Sequence, residues 1–310
     1  MRTPRSVRRA RHRAAVRPAL RGGINATPVT LEPGSWRTIG EWIVTRFGDL
    51  GLVLLDAGDV FADGGREISR AEPYVPGMRV WIFRPVPDEP ESPIELNVIA
   101  DEERFIVVDK PHGMATIPRG SHVAHTVTVA ARRQFNDDDL VCAHRLDAET
   151  AGLVLLTCKP QWRKPYQTLF ERRVVGKTYC AITRDIPGFD TWETVELRLE
   201  RGYRPLATDV VEGEPNSVTQ MRIVARANGL AQWELIPHTG KTHQLRVTLE
   251  HVGAPILGDP LYPRLFTKEE EAARAYPLQL HARELSFVDP VDGVERVFTS
   301  SARLAQAIGG

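Results

Sequence analysis

Apolar positions change period several times along the 310-residue chain, and each change predicts an element. Over residues 37–47, Ile39, Trp42, Ile43 and Phe47 recur at helical spacing. Residues 59–68 surround Gly64-Gly65 and predict a hairpin, Pro76-Gly77 predicts a turn, and 79–83 reads as a strand. These elements make a small α+β module over 23–94. Pro85, Pro87, Pro90 and Pro93 follow among acids, the composition of a linker. Beyond it, 96–110 predicts a hairpin and 126–135 a helix that Thr126 can cap. Residues 140–143 and 152–157 are apolar and strand-like, 166–171 is helical after Pro165, and 174–183 is a strand. Asn228-Gly229 joins strands at 218–225 and 230–236, the strongest short hairpin signal present. A helix over 242–252 stops at Gly253, and a hairpin around Asp292-Gly293 joins 279–287 to 294–298. Strands paired mostly as hairpins, with helices between them, predict an α+β domain over 95–310 with a largely antiparallel mixed sheet.

Composition narrows the class. With 42% hydrophobic and 26% charged residues the chain reads as globular, and no apolar run approaches the ~18 residues of a membrane span. Cys142, Cys158 and Cys180 are odd in number and lack metal-knuckle spacing, so they read as small buried side chains in a reducing cytoplasm. The net charge of zero hides an asymmetry: residues 1–22 carry eight arginines and no acid, which leaves −8 on the rest. A disordered basic arm over 1–22 could hold phosphate backbones, be merely solvated, or serve as an organelle transit peptide. In 23–94 acids outnumber bases nearly two to one, a poor electrostatic footprint for RNA.

Three clusters could carry chemistry. His144-Arg145-Leu146-Asp147 sits in a charged loop between apolar runs, where Asp147 is either a working carboxylate or half of a structural ion pair. Lys177 and Tyr179 lie inside a predicted strand, where a tyrosine is often only a core aromatic. Pro237-His238-Thr239-Gly240-Lys241-Thr242-His243-Gln244-Leu245-Arg246 runs from a strand through a tight turn into a helix. Arg246 in the first helical turn opposes the helix dipole, so an anion is expected beside it, a carboxylate from elsewhere or a phosphate. His243 and His251 are eight apart rather than four, so no metal site is expected.

Together these clusters resemble the RluA-type family of RNA pseudouridine synthases. The His-Arg-Leu-Asp-x-x-Thr-x-Gly-Leu run at 144–153, Lys177-x-Tyr179, and the Thr-Gly-Lys-Thr-His-Gln-Leu-Arg run ending at Arg246 are similar to its three signatures. So are Ile106-Val-Val-Asp-Lys110-Pro111 upstream, Gly258-Asp259-x-Leu261-Tyr262 downstream, and Leu280-His281-Ala282 at the close. The match spans about residues 96–300 in order. Ala151 and Lys241 depart from it, where Ser and Arg are usual. The 23–94 segment is loosely similar to the small RNA-binding module found ahead of many such domains.

The resemblance implies a pseudouridine synthase fold and isomerisation of uridine in structured ribosomal or transfer RNA. The uracil is detached, turned and rejoined through carbon 5, without redox chemistry, cofactor or metal. It implies Asp147 as nucleophile or base, held ionised by Arg246, and Tyr179 packed on the uracil. His144, Arg145, Lys177, Thr239 and His243 are expected to contact substrate, with Arg145 filling the stack vacated by the flipped base. A monomer with no obligate protein partner is expected. Two rivals stand beside this reading: a catalytically silent RNA-binding protein, and a nucleosidase or glycosidase, which would need a second acid such as Glu149.

Overall fold

The computed structural model describes residues 17–83, 94–118, 123–202 and 207–308. It divides into two compact units, Met1–Glu91 and Ser92–Gly310. Most of the arginine-rich run and the proline-rich linker lie outside the described residues.

In the first unit, β1 (Thr27–Thr30), β2 (Val60–Ala62) and β3 (Arg79–Ile82) form an antiparallel sheet in the order β1-β3-β2. Helix α1 (Ile39–Phe47) is capped by the Thr38 hydroxyl and buries Ile39, Trp42 and Ile43 against Val60, Val80 and Ile82. The helical spacing at 37–47 is realised here. A second helix, α2 (Asp49–Asp56), escaped the sequence reading because its run of leucine and valine has no clear polar face. The hairpin expected at Gly64-Gly65 is present but short: a Phe61–Glu67 bridge with the Ala62 N–H on the Arg66 carbonyl and the Ile68 N–H on the Val60 carbonyl, both at 2.8 Å, while β2 also pairs with β3. Arg17 and Arg21, the last arginines of the basic run, are spent on this unit. Arg17 donates to Asn25 at 2.8 Å and Arg21 to the Gly58 carbonyl at 2.8 Å and to Asp59.

Among the described residues, the second unit holds an eleven-stranded sheet. Its strands are β4 (Asn97–Asp101), β5 (Phe105–Lys110), β6 (Val141–Cys142), β7 (Ala151–Thr157), β8 (Gly176–Arg184), β9 (Glu193–Arg201), β10 (Thr208–Val211), β11 (Ser217–Ala227), β12 (Leu230–Pro237), β13 (Leu280–Val288) and β14 (Glu295–Thr299). The order is β10-β9-β11-β12-β8-β13-β7-β5-β4, with β14 beside β13 and β6 beside β7. Only β13–β7 is parallel, so the sheet is mixed and largely antiparallel. The β9–β10 hairpin was not among the expected elements, although Val195, Leu197 and Leu199 alternate with Glu196, Arg198 and Glu200 along β9.

Strand β7 is buried along its whole length. Val154 and Leu156 pack with Ile106, Val108 and α3 (Val127–Phe135), whereas Leu153 and Leu155 pack with Phe105, Tyr166 and Phe287. Burial on both faces explains a continuous apolar run in place of alternation. Helix α4 spans Pro160–Glu171, six residues longer at its start than expected. Pro160 opens it, where a missing N–H is harmless, and Pro165 is tolerated inside because Tyr166 and its neighbours bury against the sheet. Helix α5 (Gln244–His251) packs Leu245 and Leu249 against Met221, Trp233 and Leu235 of β11 and β12. Cys142 is buried, but Cys158 and Cys180 are only half-buried.

One contact sets the position of the site. Ala282 of β13 pairs with Gly152 of β7 on one side and with Tyr179 of β8 on the other. Gly152 has φ +118, and a Cβ there would lie 2.3 Å from the Ala282 carbonyl oxygen. Only glycine allows so close an approach. It brings the loop ahead of β7 beside the start of β8.

Candidate active site

The loop before β7 carries Asp147, and its backbone is fixed at several points. The Thr116 hydroxyl donates to the Leu146 carbonyl at 2.8 Å and accepts from the Leu146 N–H at 3.0 Å. Lys110 is fully buried, and its Nζ donates to the carbonyls of Pro111, Met114 and Ala148 at 2.7–2.9 Å. Burial pushes its pKa down to about 7, against the pull of Glu149, Asp147 and Asp109. The Thr150 N–H closes a turn onto the Asp147 carbonyl at 3.1 Å. The carboxylate itself stays about one-quarter exposed.

That carboxylate opens into a cavity of about 610 Å³. All eight site residues expected from sequence line it: Asp147, Tyr179, Arg246, His144, Arg145, Lys177, Thr239 and His243. Their surroundings differ sharply. Tyr179 faces the cavity from β8, and burial, then the Asp147 charge, raise its phenol above the ordinary value. A phenol so held stays protonated and is a poor ready-made base. His144 stacks on Phe170 at 4.3 Å and accepts the Leu155 N–H at 3.1 Å through Nε2. Burial lowers its pKa to about 3, so its ring is neutral and partly committed to the fold. Thr239 is buried too, with its hydroxyl donated to Gln244 at 2.7 Å and accepting from the Val218 N–H at 3.0 Å. It shapes the turn. Arg145 is exposed at the rim.

The expected partner of Asp147 needs correction. Arg246 makes a two-pronged pair with Asp259, Nε to Oδ2 at 2.8 Å and Nη2 to Oδ1 at 2.6 Å. Both are buried, and Asp259 also accepts the N–H groups of Leu261 and Tyr262 at 2.9 and 3.1 Å. Burial works against the Arg246 charge, but Asp259, helped by Asp147, leaves its pKa raised. Asp259 is thus the anion that the misplaced arginine demanded, and Asp147 is a second, more distant one. The sequence contained Asp259 within a recognised run but gave no sign that it faced Arg246.

His243 comes nearest to Asp147 as a potential ion-pair partner, Nε2 to Oδ2 at 3.9 Å. Its backbone has φ +55 at the cap of α5, and its Nδ1 meets the Tyr262 hydroxyl at 3.0 Å. Burial lowers its pKa although Asp147 opposes this, so the imidazole is neutral near pH 7. Glu149, the second acid a glycosidase would need, is bound to Arg274 at 2.8 Å. The Asp147 carboxylate beside a protonated phenol and a fixed guanidinium suits attack on, or proton removal from, one bound nucleoside.

Comparison with known proteins bears on this geometry. The family model described as RNA pseudouridylate synthase matches residues 104–251. The dual-specificity RNA pseudouridine synthase RluA of Vibrio cholerae is 33% identical over 196 residues, covering 63% of this chain and 78% of that protein. Ribosomal large subunit pseudouridine synthase D of Pseudomonas aeruginosa is 29% identical, covering 67% and 68%. Among solved structures, human RNA pseudouridylate synthase domain containing 4 matches with a TM-score of 0.52 at 27% identity, over 68% of this chain and 89% of that one. Human RNA pseudouridylate synthase domain containing 1 gives 0.56 at 22% identity, over 71% and 94%, a likeness of fold. The mixed sheet and its carboxylate cavity are those of an RNA pseudouridine synthase, an isomerase. Within that class the chain belongs to the RluA-type family.

Proposed function

We propose that this chain isomerises uridine in structured ribosomal or transfer RNA, as a cytoplasmic monomer, with Asp147 as the nucleophile or base. The observation that carries the assignment is that Asp147, Tyr179 and Arg246, 99 residues apart in sequence at their extremes, line one cavity with the carboxylate accessible. Two relatives, a dual-specificity RNA pseudouridine synthase and a ribosomal large subunit pseudouridine synthase, support an RNA target, the second of them a ribosomal one.

A uridine within a helix must leave its stack to reach this carboxylate, at a cost of a few kcal/mol. Arg145, exposed at the cavity rim, is placed to fill the gap with its planar guanidinium. Tyr179 lines the cavity beneath the incoming base. Its raised pKa favours packing against the uracil over service as a phenolate. Arg246, its plane fixed by Asp259, supplies positive potential near the carboxylate without being its direct partner. His243 and Lys177 are assigned to substrate contact, and His144 and Thr239 to shaping the walls that the substrate meets.

The test is Asp147→Asn assayed on total ribosomal and transfer RNA from cells lacking the protein, with pseudouridine read by chemical labelling. Loss of product with RNA binding retained is expected. Full activity in the variant removes Asp147 from the mechanism. Mapping modified positions in cells with and without the protein then identifies the RNA and the uridine.

A further inference from the structure

Four cationic side chains line the cavity besides Arg246: Arg145, Arg173, Lys177 and Lys241. Among the described residues none of the four has an ion-pair or side-chain hydrogen-bond partner. Several arginines elsewhere in this unit are paired, as at Arg104, Arg222, Arg226 and Arg274. The cavity wall is therefore a place where positive charge is left uncompensated. Lys177 pays for this in its pKa, lowered by burial and then by Arg173.

Register fixes the order of these cations across the sheet. Tyr179 pairs with Leu235, so the start of β8 and the end of β12 lie at the same end of the sheet. The turn after β12 carries Lys241, the entry to β8 carries Arg173 and Lys177, and the loop before β7 carries Arg145. The strand order β12-β8-β13-β7 puts three strand spacings between the first and last, about 14 Å at ~4.8 Å each. That length corresponds to roughly four stacked nucleotides at ~3.4 Å apiece.

Arg173 adds a second observation. It follows the end of α4 with φ +58, and its N–H returns to the Phe170 carbonyl at 3.1 Å. Glycine normally holds this left-handed position after a helix, and a larger residue costs about 1–2 kcal/mol there. Here the position holds an exposed arginine that lines the cavity. Among the lining residues only Asp147 and Glu171 carry negative charge, and Asp147 is the reacting group proposed above.

We propose that Arg173 and Lys241 are backbone-phosphate contacts that hold the RNA strand on the β8–β12 side of the target nucleotide, reading charge and not sequence. The proposal rests on the assignment of this cavity to an RNA uridine. It extends that assignment to two residues outside the catalytic set.

The test uses the full chain with Arg173→Gln, Lys241→Gln and the double variant, and Arg173→Lys and Lys241→Arg as conservative partners. Affinity for a fluorescein-labelled stem–loop RNA carrying loop uridines is measured across a KCl series, alongside kcat and KM. Each glutamine variant is expected to weaken binding severalfold, with the loss in KM. Each should also flatten the slope of log affinity against log salt by about 0.7–0.9. The double variant should lose about twice that slope, and the conservative variants should restore it. Unchanged slopes in folded glutamine variants would overturn the proposal. Inorganic phosphate should compete no better than KCl of equal ionic strength, and stronger competition would assign the cations to a free anion and overturn the RNA track. The binding arm needs no turnover. Failure of the isomerase reading would show as absent product in the unaltered protein, whatever the slopes.

Discussion

Asp259→Asn isolates the role of the buried Arg246–Asp259 pair. Asparagine keeps a carbonyl oxygen for the Leu261 and Tyr262 N–H groups, so the perturbation is chiefly loss of one negative charge. It leaves a guanidinium only 4% exposed beside a neutral amide. Removing one partner of a buried pair costs about 3–5 kcal/mol, a large part of a total stability of about 5–15 kcal/mol. For a unit of this size that lowers Tm by roughly 6–20 °C, at about 2–4 °C per kcal/mol. Arg246→Met strands the opposite charge, since Asp259 is fully buried, and it is expected to destabilise by a similar amount. Activity loss in Arg246→Met alone is therefore no clean measure of chemistry. The double variant has neither charge to bury and is expected to recover about 2 kcal/mol or more over the sum of the singles. Thermal and denaturant unfolding of the four proteins close the cycle. Additivity within about 0.5 kcal/mol would falsify the claim that these groups act as one unit.

Other expectations follow from the same framework. The neutral, buried His144 has a folded pKa of about 3 against an ordinary 6.5. Its stabilising contribution is thus full above pH 6.5 and lost at up to ~1.4 kcal/mol per pH unit as pH falls toward 3. The NMR signal of its ring should show no titration step down to pH 5, and a step near 6.5 refutes the assigned burial. Gly152→Ala combines a positive φ with a 2.3 Å encounter with the Ala282 carbonyl oxygen, so a loss of about 2–6 kcal/mol is expected. A melting curve equivalent to less than 1 kcal/mol means that β7 and β13 separate more easily than their register implies. Because burial and Asp147 both raise the Tyr179 phenol, no loss of rate from its ionisation should occur below about pH 10. A pH–rate profile with an alkaline limb near 8, abolished in Tyr179→Phe, contradicts that.

Much of both units was legible because the signals are local. Asn228-Gly229 forces a hairpin, Thr126 caps α3, and the spacing of Ile39, Trp42 and Ile43 names the buried face of α1. The misses have separate physical causes. Helix α2 is apolar nearly all round and so shows no strong period, whereas β9 alternates in period two but ends in a four-residue edge strand, β10, with no Asn-Gly or Asp-Gly turn between them to mark a hairpin. Pro165 looked like a helix start because the cost of an internal proline is local, whereas the packing of Tyr166 that offsets it is tertiary. The site residues were visible as runs, but their partners were not. Arg246 demanded an anion by its place in the first turn of α5, yet the demand cannot tell Asp147 from Asp259. That choice is made by the turn that follows Gly258, where two backbone N–H groups hold the Asp259 carboxylate.

The pairing of Arg246 with Asp259 also changes how the remaining charge must work. An arginine shared equally with Asp147 would hold that carboxylate charged and leave it little potential for substrate. With its fork committed to Asp259, Arg246 is mostly compensated, and the loop keeps Asp147 partly in solvent with only a neutral imidazole at 3.9 Å. The positive potential that faces an incoming strand then comes from side chains that have no ion-pair partner among the described residues: Arg145, Arg173, Lys177 and Lys241. One set of cations is spent inside the protein on geometry, and the other stays free at the rim for a polyanion. Substitutions in the two sets should therefore separate by assay. Changes at Arg246 or Asp259 lower stability and are blind to salt in binding, whereas changes at Arg173 or Lys241 leave Tm alone and move the salt slope. A variant of the rim set that lowers Tm by several degrees, or an Asp259 variant that flattens the slope, breaks this division of labour.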